Sequence, residues 1–146
     1  MSQHKLVLEH EIAATAADVW SAIIDHEGMA RWLPARVTLV AHKQGGGPGT
    51  VRRIRAGGVV VIDEEVVYAD PPEGAKAGRL VYRIVRGAPI DFHRGEMLVE
   101  SLGDRRSRIT WDILIASKVP GVARATVAVL RPALRDGLRK LGAILS

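Results

Sequence analysis

Residues 119–145, VPGVARATVAVLRPALRDGLRKLGAIL, decide the fold. Val127, Leu130, Leu134, Leu138, Leu141 and Leu145 step by three and four, the spacing that lines one face of a helix. Arg124, Arg131, Arg135, Arg139 and Lys140 fill much of the rest of its surface. A helix with a one-sided apolar stripe draws its stability from the surface it packs on, so it needs a large apolar partner. Most of the regular structure upstream reads as strand, and a curved antiparallel sheet can supply that partner. A sheet gripping one long helix encloses a pocket, which points to small-molecule binding before any single residue does.

Working outward from the helix, residues 5–12 alternate as an opening strand. Thr15 then begins a Thr-x-x-Asp helix start with Asp18, and Val19, Trp20, Ile23 and Ile24 give that helix its apolar face. His26-Glu27-Gly28 breaks it, and residues 29–33 predict a second short helix, stopped by Pro34. Further strands are expected over residues 37–41, 50–56, 59–68, 79–86, 92–101 and 107–115. Gly57-Gly58 reads as a two-residue hairpin turn, and Gly45-Gly46-Gly47-Pro48-Gly49 as a mobile connection. The expected fold is α+β: a curved seven-stranded antiparallel sheet around a long C-terminal helix, with two short helices after strand 1.

The chain of 146 residues predicts a single domain spanning 1–146, large enough for one core. It contains no cysteine, which removes disulfides, thiolate metal sites and cysteine nucleophiles, and suits a reducing compartment. No apolar run approaches the ~20 residues of a membrane span, and the first residues lead straight into a strand pattern, so the expected location is cytoplasmic. The net charge of +5 comes mainly from arginine. Arg52, Arg53 and Arg55, then Arg105, Arg106 and Arg108, then the last helix carry it, with acidic residues interspersed. That dispersal favours a solvated surface over nucleic-acid binding.

Several stretches carry a resemblance that covers nearly the whole chain. They are Ala17-Asp18-Val19-Trp20, Trp32-Leu33-Pro34, residues 49–53, Glu64-x-Val66 with Asp70-Pro71-Pro72, Tyr82-Arg83-Ile84, Ile109-Thr110-Trp111 and Leu138-x-x-Leu141. In these the sequence resembles the Bet v 1-like, or START-like, helix-grip (SRPBCC) superfamily, and within it the polyketide cyclase/dehydrase and lipid-transport type. The resemblance implies the helix-grip fold and an internal cavity. It implies no particular reaction, because the superfamily includes cyclases, lipid carriers, hormone receptors and binders. It also implies that the pocket opens at the end of the sheet carrying Gly57-Gly58, residues 87–90 and residues 117–120.

Strand parity sorts the candidate site residues, since neighbours two apart share a face. Ile109, Trp111 and Ile113 form one inward row, Leu80, Tyr82 and Ile84 a second, and Gly95, Met97 and Val99 a third. Tyr82, Trp111, Met97, Val99, Ile113 and Leu134 are therefore the expected ligand-binding residues. Extending the third row back reaches His93 and Asp91, a candidate acid/base pair in which the carboxylate orients the imidazole. A polar patch with a satisfied histidine is the bland alternative. Trp20 is expected in the core.

Other chemistries find less support. The glycine loop runs into a strand rather than a helix and lacks a following lysine, so it reads as a hairpin loop and not a phosphate cradle. His4, His10, His26 and His42 show no metal-ligand spacing, and no metal or cofactor is expected. Ser21, Ser101, Ser107 and Ser117 lack a nucleophile elbow. The two-residue turn would set Arg52 opposite Asp63, a pair expected on the surface, with Glu64, Val66 and Tyr68 on the other face. Placed inside, such a pair would imply a polar ligand.

The favoured reading is a module that binds a largely apolar small molecule, lipid-, polyketide- or aromatic-like, between the sheet and the last helix. The alternative is a polyketide cyclase/aromatase or dehydratase using His93 and Asp91, with Tyr82 as a further donor. Arg83 has the wrong parity to share Tyr82's face, which weakens the enzyme reading. The expected partner is a hydrophobic small molecule, with no nucleic acid and no membrane span, in a monomer or homodimer.

Overall fold

The computed structural model describes residues 2–146. In chain order the elements are β1 (Ser2–Ile12), α1 (Ala16–Ile24), a 3-10 turn (Glu27–Arg31), β2 (Arg36–Ala41), a second 3-10 turn (Gln44–Gly46), β3 (Val51–Ala56), β4 (Val60–Asp70), β5 (Gly78–Arg86), β6 (Phe92–Gly103), β7 (Arg106–Ser117) and α2 (Val122–Leu145). The seven strands form one antiparallel sheet in the order β1-β7-β6-β5-β4-β3-β2. This is the α+β helix-grip fold, with the two short helical segments after β1.

Local chemistry explains the helices. Thr15 caps α1, its hydroxyl oxygen accepting from Asp18 N at 3.1 Å. Val19, Trp20 and Ile23 bury the inner face of α1. Helix α2 begins at Val122 rather than at the expected residue 119, because Gly121, with a φ of 79°, turns the chain into it. Its inner face buries Ala123, Val127, Leu134, Leu138 and Leu141, and it lies against β1 and β7. Gly137 lets it approach the first 3-10 turn closely, since a Cβ there would overlap Leu33 and the Trp32 carbonyl.

The β3–β4 hairpin differs from expectation in a way that decides the interior. Ala56 pairs with Val60, so the loop holds residues 57–59 rather than two residues. The longer loop moves the register by one. Arg52 then faces Glu64, and Arg53 faces Asp63. The expected Arg52–Asp63 pairing would give one opposite-charge pair across these strands, and the observed register gives two. A bulge between Val66 and Tyr68 keeps Glu64 and Val66 inward but turns Tyr68 outward, so the three do not share a face.

Candidate functional site

Five neighbouring strands each place one notable side chain on the inner face: Arg52 (β3), Glu64 (β4), Tyr82 (β5), His93 (β6) and Trp111 (β7). The surroundings are apolar, with Leu80, Met97, Val99, Ile113 and Leu134 in the same core. The expected ligand-binding residues Tyr82, Trp111, Met97, Val99, Ile113 and Leu134 are thus brought together, all of them buried.

Arg52 is the centre of the polar row and is only 1% exposed, which corrects the expected surface pairing. The extra hairpin residue is the physical reason, because it aligns Arg52 with inward-facing Glu64. Its Nε donates to Glu64 Oε1 at 2.9 Å, and Nη2 lies 2.8 Å from the same oxygen. The second contact is short but poorly directed, so it is an electrostatic contact and not a hydrogen bond. Nη1 donates to His26 Nδ1 at 3.1 Å and to Met29 Sδ at 3.0 Å. The guanidinium also lies 4.5 Å from the centre of the Tyr82 ring, a cation–π contact in a dry setting.

His26 braces this arginine from the end of α1. Its Nε2 lies 2.9 Å from the Gly46 carbonyl, which only accepts, so Nε2 carries the proton and Nδ1 accepts from Arg52. The imidazole is therefore neutral. Burial, followed by the Arg52 charge, holds it below the ordinary histidine range. The glycine loop is thus part of the brace, since its backbone carbonyl at Gly46 fixes the tautomer that orients Arg52.

Tyr82 reaches across the sheet because Gly95, its partner on β6, has no side chain. Its hydroxyl accepts from Trp111 Nε1 at 2.7 Å, and Trp111 in turn meets Trp32 edge-on at 5.9 Å. Burial, with a second contribution from Glu64, raises the phenol well above its usual pKa, so it stays a neutral donor. No described residue accepts its proton, none donates to Glu64 Oε2, and Arg52 Nη2 has no well-directed acceptor. Thr50, two residues before Arg52, adds a buried hydroxyl without a partner. Two of the buried side-chain atoms without a partner, Thr50 Oγ1 and Arg52 Nη2, thus lie at β3, and a further one, the Ser107 hydroxyl, lies on β7.

His93 and Asp91 are not brought together. His93 Nδ1 accepts from Ile84 N at 3.1 Å, and Asp91 Oδ2 accepts from Lys118 N at 2.6 Å. The reason is local. Asp91 precedes β6 and stays exposed at the turn, where it ties the β5–β6 connection to the β7–α2 connection. His93 instead fills a seam. The β5–β6 pairing stops at Tyr82–Gly95, and the imidazole satisfies the Ile84 amide that a strand carbonyl would otherwise take. Burial lowers the His93 pKa, with Glu64 opposing the shift and Arg52 adding to it. On the outer side a mostly apolar concavity of about 160 Å³, lined by Val67, Val81 and Phe92, reaches the backs of Tyr82 and His93. Among the described residues no group of three or more histidines and carboxylates is placed to hold a metal.

Comparison with known proteins fits this geometry. The model of the family described as polyketide cyclase / dehydrase and lipid transport matches residues 3–145. The chain belongs to this family. A solution structure from Thermobifida fusca is 30% identical, covers 94% of this chain and 90% of its own, and superimposes with a TM-score of 0.75. A START superfamily protein from Mycobacterium smegmatis (19% identity, 97% of each chain, TM-score 0.78) shares the fold. So does Ara h 8.0201 (16% identity, 99% and 98% coverage, TM-score 0.74). No curated protein matches the sequence. Family and fold together support a helix-grip protein that binds a hydrophobic ligand.

The inward Arg52–Glu64 pair and its brace, His26, were not legible in the sequence. The charge alternation in β3 and β4 was visible, but its face depended on one loop residue. Nothing in the local sequence links His26 to Arg52.

Proposed function

We propose that this chain binds a lipid-, polyketide- or aromatic-like molecule between the sheet and α2, with a polar oxygen of the ligand held by Arg52, Glu64 and Tyr82. The observation that carries the reading is the buried, unpartnered Arg52 Nη2, next to a Tyr82 hydroxyl whose proton no described residue accepts, inside an apolar core. A buried polar group without a full set of partners costs free energy, and a ligand oxygen placed there would recover it. Arg52, Tyr82 and Trp111 are each at most 2% exposed, so binding requires the closed interior to open. Extraction of the purified protein followed by mass spectrometry tests the reading, together with titration of fatty acids and fused-ring aromatics into wild type and Tyr82→Phe. The expected result is a bound amphipathic molecule whose affinity falls about tenfold in Tyr82→Phe.

A second reading, cyclisation or dehydration of a polyketide-like substrate, rests on the neutral imidazole of His93, whose ring centre lies 5.6 Å from that of Tyr82. Such a reaction needs a base to move a proton and a donor to stabilise an enolate. Because Nδ1 accepts from the Ile84 amide, the neutral His93 ring carries its proton on Nε2, so His93 and Tyr82 both fit the donor role, while the Asp91 carboxylate is engaged by the Lys118 amide and does not pair with the imidazole.

A further inference from the structure

Three connections gather at the end of the sheet where α2 begins. Gly87 packs so tightly on Val61 that a Cβ would overlap the Val61 carbonyl. The Ser117 hydroxyl donates to the Pro89 carbonyl at 2.9 Å, and the Lys118 amide donates to Asp91. The rim built this way exposes valines. Val59, in the β3–β4 loop, is 86% exposed, Val119 is 51% and Val60 is 49%, and Val61 and Val85 are also exposed. A hairpin tip ordinarily carries polar and turn-forming residues, yet Gly57-Gly58 is followed here by three valines.

The charge around these valines is mostly positive. Arg55, Arg86, Lys118 and Arg124 are exposed at this end. Asp91 is the one acidic residue of the rim and accepts from the Lys118 amide, and Asp63 is held by Arg53 Nε and Nη2 at 2.9 and 3.0 Å. The Asp63 carboxylate also feels Arg86 and Arg55, so three guanidinium groups surround one carboxylate. Arg55 and Arg86 form no ion pair with any described residue. A concavity of about 340 Å³ lies at this spot, lined by Arg53, Val61, Asp63, Arg86 and Gly87.

We propose that this rim, formed by residues 57–61, 85–91 and 118–124, docks on the surface of an anionic phospholipid bilayer. The valines would sit at the headgroup–acyl boundary, and Arg55 and Arg86 would meet lipid phosphates at the mouth of the concavity. Nucleic acid fits less well, because exposed valines contribute neither phosphate contacts nor base stacking. The proposal stands on surface residues and does not depend on what the interior binds.

The chain has no cysteine, so Val59→Cys can be labelled uniquely with a polarity-sensitive fluorophore. The labelled protein and wild type are mixed with vesicles of phosphatidylcholine alone, or with about one-third phosphatidylglycerol, and vesicle flotation is scored. The expected result is a blue-shifted label and co-flotation only with the anionic vesicles, lost at about 0.5 M salt. Val59→Asp/Val60→Asp and Arg55→Glu/Arg86→Glu should each weaken binding at least ~10-fold, since each basic residue at such a surface contributes roughly fivefold. Arg135→Glu/Lys140→Glu, the same charge change on the exposed side of α2, should bind like wild type. The proposal is overturned if neither vesicle shifts the label, if the α2 variant loses as much as the tip variants, or if the valine variant binds undiminished. Retention on duplex DNA with no flotation would also overturn it. Should a tip variant fail to fold by circular dichroism, the labelled Val59→Cys chain decides.

Discussion

Tyr82 lies across Gly95. The two residues face each other in the β5–β6 ladder, and a Cβ on Gly95 would overlap the ring and hydroxyl of Tyr82. The absent side chain is what lets the phenol reach Trp111 on the next strand but one. Gly95→Ala is therefore expected to destabilise the protein by about 1–3 kcal/mol through overpacking. Urea denaturation checks this. In a double-mutant cycle Tyr82→Ala should relieve most of the Gly95→Ala cost, and strictly additive effects would separate the two residues.

The Arg52–Glu64 pair is buried, and a lone buried charge is far more costly than none. Arg52→Met alone should lose about 3–5 kcal/mol, because it strands the Glu64 carboxylate. Arg52→Met/Glu64→Leu should recover most of that loss and can equal wild type in chemical denaturation. Equal stability of the single and double variants would show that the pair is not coupled.

Two histidines make stability depend on pH in a defined direction. Burial lowers the folded-state pKa of both His26 and His93 below the ordinary value of 6.5. Between the folded pKa and 6.5 the unfolded chain binds more protons, so stability is fully present above that range and is lost as pH falls through it. Melting temperature should drop from about pH 7.5 to about pH 5.5, and His26→Gln should flatten the dependence even at the cost of some stability. A melting temperature that rises on acidification over this range would reverse the assignment of both rings as neutral.

Should turnover of a polyketide-like substrate be observed, His93→Ala should lower it at least ~100-fold, the usual contribution of a general acid–base group. Asp91→Asn should keep most activity, because that carboxylate accepts from the Lys118 amide and not from the imidazole. Steady-state rates at matched circular dichroism check the contrast. Comparable losses in both variants would restore the pair as a catalytic unit.

The fold was legible because its determinants are periodic. The stripe of Val127, Leu134, Leu138 and Leu141 and the alternating strands state their own geometry. The inward rows through Tyr82, Met97 and Trp111 followed from parity alone, and their members are buried except Ile84, which is half-buried. Parity fails where one residue is added. A single extra loop position at Val59 moved Arg52 from Asp63 to Glu64, and a bulge turned Tyr68 outward. Asp91 and His93 share a parity, yet Asp91 lies before the strand begins, so the rule did not apply to it. His26 reaches Arg52 across 26 residues of sequence, a contact that only the packed fold creates.

The central claim is that the inner polar row receives the oxygen of an otherwise apolar ligand. It is tested most directly by native mass spectrometry and ligand titration on wild type and on Arg52→Met/Glu64→Leu. That variant removes the row's charges while keeping the core filled. The account predicts a bound or titratable amphipathic molecule in wild type, and at least ~10-fold weaker binding of it in the folded double variant. An empty wild-type protein that binds no fatty acid or fused-ring aromatic, or a double variant that binds just as tightly, would contradict it.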